Sequence, residues 1–128
     1  MVLDLNGDGV RTISLSSAGV VFDHNIDGML ERSGWLNGDD GFLVLDINNN
    51  QRIDNGGEFF GDGTLLKNGT VALDGFVALA ERDDNNDLAI DLQDAVWGSL
   101  KIWRDTNTNG VTDEGELMSL EAAGVASM

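Results

Sequence analysis

At 128 residues, 41% of them apolar but with only five Phe and three Trp, the chain holds one modest core or two small lobes sharing one. Seven Lys and Arg against 23 Asp and Glu leave a formal charge of -16, which excludes nucleic acid as a partner and insertion into an anionic membrane; self-repulsion of that size opposes a compact state unless cations neutralise part of it. The absence of Cys excludes disulfides and thiolate metal sites, and a single His, His24, cannot build a zinc site alone.

Residues 4–9 set the organising unit: Asp4, Asn6 and Asp8 at alternate positions, then Gly9. In a 12-residue EF-hand calcium loop, positions 1, 3 and 5 supply side-chain oxygens and position 7 a backbone carbonyl. Position 9 often acts through water, position 12 gives a bidentate carboxylate, and Gly at 6 makes the turn. Residues 4–9 fill positions 1 to 6, but position 12 falls on Leu15. No basic stretch or long apolar run precedes them, so neither a signal peptide nor a membrane span is expected. Val20, Val21 and Phe22 read as a short strand. They feed a second half-loop, with Asp23, Asn25, Asp27 and Gly28, whose position 12 is Gly34. Neither half-loop closes on its own segment; Glu31, Asp39, Asp40 and Asp62 are the carboxylates available to complete them. His24, at position 2, is expected to face solvent. Residues 42–45 read as another strand, followed by Asp46, Asn48, Asn50, the carbonyl of Arg52, and Asp54. There Gln51 occupies the turn, and the closing acid falls one residue late, at Glu58. Ion-free Asx turns capping strands are the competing reading of these three segments. Gly56-Gly57 and residues 61–63 mark irregular connections, and Asn68-Gly69-Thr70 reads as a turn, although it matches a glycosylation sequon.

Beyond this point the apolar spacing becomes helical. Leu73, Phe76, Val77 and Ala80 form one stripe, Val96, Leu100 and Trp103 a second, and Leu117 and Leu120 begin a third. Between the first two lie Asp83, Asn85 and Asp87 at positions 1, 3 and 5, Ala89 at 7, Asp91 at 9 and Asp94 at 12. Leu88 replaces the turn Gly, at about 1–2 kcal/mol for a left-handed residue. Asp94 is a methylene shorter than Glu, so an empty, bracing loop is the alternative. Residues 105–116 match throughout, with Asp105, Asn107, Asn109, Gly110, Val111, Asp113 and Glu116. Ile90 and Thr112 both stand at position 8, where paired EF-hands are bridged, so the spacing predicts these two loops as a pair. The expected fold is therefore α+β: a loop-rich, partly β N-terminal part (about 1–70) packed on a C-terminal paired EF-hand, helix–loop–helix unit (about 71–124). The whole is one calcium-binding module, a monomer taking up roughly two to four Ca²⁺ ions and folding as it does so. Trp35, Trp97 and Trp103 are expected in the core. No nucleophile–base arrangement assembles from these residues, so no catalytic residue is assigned.

The order of these segments resembles the calcium-dependent self-processing module of bacterial RTX (repeat-in-toxin) proteins of the Frp type. The resemblance is carried by residues 3–10, 22–28, Gly34-Trp35 with Asp39-Asp40-Gly41, then 45–50, 53–62, 78–81 and 103–110, nearly the whole chain. The RTX nonapeptide repeat itself is absent. The resemblance implies a secreted or cell-surface protein in which calcium folds the module, and the module then cleaves an Asp–Pro bond at its own N-terminal edge. The Asp side-chain carboxyl attacks its own carbonyl carbon and the proline nitrogen leaves. A lysine amine of a target protein can then capture the cyclic anhydride as an isopeptide cross-link. In the family that Asp–Pro pair lies just before the segment matching residues 2–4, and this sequence contains no Pro. Metal ligands alone carry over. The alternative from another class is a non-catalytic, calcium-rigidified structural or adhesive module. A calmodulin-like sensor, whose groove is Met-rich, fits poorly with only Met29 and Met118 internal.

Overall fold

The computed structural model describes residues 1–13, 20–61, 64 and 66–125, so Leu15 and Asp62 lie outside the described residues. Short runs, apolar in the main except for polar β4, give the strands: β1 Val2–Leu3, β2 Thr12–Ile13, β3 Val20–Phe22, β4 Glu31–Ser33, β5 Trp35–Leu36, β6 Gly41–Leu45, β7 Leu100–Trp103 and β8 Leu117–Ser119. One short helix, α1 Gly75–Ala80, begins where the Asp74 side chain accepts from Val77 N, and a 3₁₀ turn covers Gly56–Glu58.

The central sheet has the order β1-β6-β7-β8 and every pairing in it is antiparallel. Two ribbons, β2-β5 and β3-β4, accompany it among the described residues. In β6 and β7, Phe42 faces Trp103 across the ladder and Leu43 faces Ile102. Successive side chains alternate between faces, so the sheet is buried on both sides. Leu43, Leu100 and Ile102 join Phe60, Leu79, Ile90, Trp97 and Leu120 in one core; Val44 and Trp103 join Val20, Phe22, Trp35 and Ile53 in the other. Each buried side chain of this kind is worth about 1.5–3 kcal/mol. In the second core Phe22, Phe42 and Phe59 stack at centroid distances of 5.0–5.2 Å, and Trp35 and Trp103 meet edge-on at 5.6 Å. All three Trp are thus core residues. Among the described residues, no helix is long and apolar enough to cross a membrane.

The first-half strands fall where the apolar runs put them, at Val20–Phe22 and Gly41–Leu45. The C-terminal paired helix–loop–helix unit does not exist. Val96, Leu100 and Trp103 span turns at 95–99 and then β7, and Leu117 and Leu120 span β8 and the turn after it. A three-residue spacing of apolar side chains suits a helix, but it equally suits a turn feeding a strand when the run, Leu-Lys-Ile-Trp, supplies β-favouring residues. Of the first stripe, Phe76, Val77 and Ala80 fall on α1 and Leu73 just before it, yet Leu73, Phe76 and Val77 are exposed while Ala78 and Leu79 are buried.

Candidate metal centre

All five Asp/Asn segments share one backbone. Positions 4 and 6 are left-handed in each: Gly7 and Gly9, Ile26 and Gly28, Asn49 and Gln51, Asn86 and Leu88, Thr108 and Gly110. The position-1 carboxylate locks this turn by accepting from the N–H of position 6. Asp4 does so from Gly9 at 2.8 Å, Asp23 from Gly28 at 3.0 Å, Asp46 from Gln51 at 2.7 Å, Asp83 from Leu88 at 2.8 Å and Asp105 from Gly110 at 2.8 Å. Positions 3, 5 and 9 then converge. The amides of Asn107 and Asn109 both donate to Asp113, at 2.8 and 2.7 Å, and those of Asn48 and Asn50 both donate to Asp54, at 3.0 and 2.7 Å. In two of the other three the pairing is between positions 3 and 5: Asn25 donates to Asp27 and Asn85 to Asp87. Positions 7, held by Arg52, Ala89 and Val111, each donate their own N–H to the side chain at position 5.

A buried acid closes three of the loops in one geometry, taking the N–H groups of positions 2 and 9. Glu116 accepts from Thr106 N at 3.1 Å and Asp113 N at 3.0 Å. Asp94, in spite of its shorter side chain, accepts from Asp84 N at 2.7 Å and Asp91 N at 3.0 Å. Glu58 accepts from Ile47 N at 3.1 Å and Asp54 N at 2.7 Å, so the late acid of the 46–58 loop stands where the others stand. The extra residue is absorbed in the 3₁₀ turn capped by Asn55. That turn is possible because Gly56 lies against the backbone of His24, where a Cβ would come within 2.0 Å of the carbonyl oxygen.

The two half-loops are completed from outside. Glu31, on β4, accepts from His24 N at 3.0 Å, and ligand oxygens of Asp23, Asp27 and Glu31 lie within 4.8 Å of one another. Asp40 reaches the first segment at another point: its Oδ2 accepts from Arg11 N, position 8, at 2.9 Å, and ligand oxygens of Asp4, Asp8 and Asp40 lie within 4.8 Å of one another. Asp40 is 1% exposed, and its Oδ1 has no hydrogen-bond partner among the described residues. Asp39 turns away, 3.6 Å from Arg104. His24 is exposed and packs edge-on against Phe22.

The 105–116 loop is not paired with 83–94 as the position-8 spacing suggested. Thr112 Oγ1 accepts instead from Ile53 N at 2.9 Å, while Ile90 is buried in the first core. Ile53 is itself position 8 of the loop starting at Asp46, so counting along that segment reveals the pairing; the late acid obscured it. The other contact that sequence reasoning missed is the Trp35 indole N–H, which donates to Asp105 Oδ2 at 2.8 Å and ties β5 to this loop.

Burial pushes the Asp105 and Glu58 carboxyls above their ordinary range. The N–H of Gly9 lowers exposed Asp4, and the amide of Asn107 lowers exposed Asp113. A donor set made only of carboxylate, amide and carbonyl oxygen suits a hard cation such as Ca²⁺ better than the softer transition metals. A buried carboxylate oxygen with no partner costs about 1–3 kcal/mol, and Asp40, whose Oδ1 is such an atom and whose carboxyl clusters with those of Asp4 and Asp8, leaves that deficit for a cation to fill. The residues present fit the ion.

The SPM domain family profile matches residues 1–128. The chain is 44% identical over 129 residues to the iron-regulated protein FrpA of Neisseria meningitidis serogroup C; the match takes in 100% of this chain and 12% of FrpA. The chain therefore spans only a small part of that relative's length, and the Frp-type resemblance carried by its loops is in keeping with the relative's name.

Proposed function

The chain belongs to the SPM domain family, and from that premise we propose that it is a calcium-binding module whose Asp/Asn loops hold the ions and whose fold forms with them. The observation that carries this reading is Asp40, a buried carboxylate that has an unpartnered oxygen and clusters with those of Asp4 and Asp8. Asp4, Asp8 and Asp40 would hold one ion, and Asp23, Asp27 and Glu31 a second. The loops closed by Glu58, Asp94 and Glu116 would hold others. Bound calcium supplies the positive charge that these carboxylates lack. The chain's own part is to preorganise oxygens: left-handed turns at positions 4 and 6 curl each loop, and the closing acid is held by two N–H groups. Carboxylates at about 4 Å repel one another by roughly 1 kcal/mol in water and about 4 kcal/mol near a protein surface, so the metal contributes directly to folding.

The same reading places the module in a longer, secreted RTX-type protein, where it supports cleavage of an Asp–Pro bond upstream of β1 and capture of the aspartyl product by a lysine amine of a target. In support, β1 is followed at once by the first loop, and Leu43 N donates to Met1 O at 3.0 Å. The backbone leading toward that bond is thereby held at the β1 end of the central sheet, where the Met1 amino group also donates to Phe60 O. The competing reading is a purely structural, calcium-rigidified module. An upstream Asp–Pro cut on addition of calcium decides between the two.

The direct test is calorimetric titration of calcium into chelator-treated protein, with Asp40→Asn in parallel. The wild type is expected to take up at least two ions, and the variant to lose one or to bind it at least about tenfold more weakly. A wild type that takes up no ion, or a variant with an identical isotherm, contradicts the reading.

A further inference from the structure

Beside α1 the surface carries more apolar area than a solvated face needs. Phe76 is 76% exposed and Leu88 95%, and both line a groove of about 220 Å³ whose floor is Leu79, Ala80 and Ile90. Leu88 adds a second anomaly. It sits at φ 69°, at the loop position where Gly9, Gly28 and Gly110 stand in three other segments. A fully exposed leucine gains nothing from folding there and strains the backbone, whereas glycine would fit freely. Backbone strain of this kind clusters at contact and functional sites, and at Leu88 it coincides with a groove that the strained side chain itself lines.

The charge around the groove tells what it can meet. Asp83 lines it, Asp74 and Glu81 cap the two ends of α1, with Lys67 beside Glu81, and residues 71–100, from which the groove is built, hold seven acids against Arg82 in a chain of formal charge -16. The 83–94 loop alone has five carboxylates, more than one divalent cation neutralises. A second copy of this chain would set acid against acid, and an anionic membrane would be repelled. We propose that the groove docks a basic segment of another protein, which seats a bulky apolar side chain between Phe76 and Leu88 and sets Lys or Arg against the acidic rim.

The test is fluorescence anisotropy with a fluorescein-labelled peptide of Leu and Lys at helical spacing, against wild type, Leu88→Gly and Phe76→Ser; the same pattern built from Leu and Glu is the control. Circular dichroism checks that each variant is folded, and Leu88→Gly, which relieves the strained turn, keeps the test valid should Phe76→Ser fail to fold. The expected result is saturable binding of the basic peptide alone, weakened at least about tenfold by each folded variant. Equal binding by Leu88→Gly, equal binding of the Leu–Glu peptide, or a wild-type dimer that Leu88→Gly dissociates would each overturn the proposal.

Discussion

Gln51 and Leu88 occupy left-handed backbone at position 6 of their loops, where a Cβ crowds the following carbonyl oxygen. Gln51 is exposed, and its N–H donates to Asp46, a bond that glycine keeps. Gln51→Gly is therefore expected to raise stability by about 1 kcal/mol, read as a higher denaturation midpoint in calcium. Leu88 was legible from the sequence as a strained position because the loop pattern marks where Gly belongs. Asp40 was legible only as one of four carboxylates in reach, since its choice over Asp39 depends on a turn that aims Asp39 at Arg104. Two buried acids set the pH response of the metal-free protein. Burial raises Glu58 and Asp105 above their ordinary values of 4.5 and 3.8, so the folded state binds these protons more tightly than the unfolded chain does. Both groups oppose folding at neutral pH, and the opposition disappears as pH falls through the raised values to the ordinary ones. The lowered Asp4 and Asp113 contribute stability that is lost only as pH falls below their ordinary 3.8. With chelator present, the thermal midpoint should rise as pH is lowered from neutral toward 4.5; a midpoint that falls over this range contradicts the assignment.

The loops were legible as units because their chemistry is local: Asp and Asn at alternate positions force the same Asx turns whatever flanks them. Their flanks were not. β7 buries Leu100 and Ile102 through pairing with β6, a partner more than fifty residues away, β8 then pairs with β7, and no local spacing announces either ladder. Tertiary packing then decides between helix and strand for a short apolar run. The closing acids are the elements' weak points. Glu58→Ala removes the acceptor for Ile47 N and Asp54 N together, leaving two loop donors unsatisfied. It should cost about 3 kcal/mol in denaturant unfolding with calcium present, a sum of two charge-assisted bonds. A loss below about 1 kcal/mol would mean that the late acid is not a closing residue.

For the whole molecule, the balance is between two small apolar cores on either face of one sheet and a formal charge of -16. Salt bridges offset little of it: those among the described residues are Arg11 with Asp8 and Arg104 with Asp39, both solvent-exposed in part and worth at most about 1 kcal/mol each. Domains of this size are stable by roughly 5–15 kcal/mol, a margin that five unneutralised acidic loops can consume. The most direct measurement is far-UV circular dichroism and Trp fluorescence of chelator-treated protein during calcium addition. Trp35 and Trp103 lie in the second core, and Trp35 bonds Asp105, so their emission reports the packing that the ions are required to secure. A cooperative gain of structure with a blue shift, saturating at two or more ions and reversed by chelator, is the predicted result. A metal-free chain already showing the full spectrum, unchanged by calcium, would contradict it.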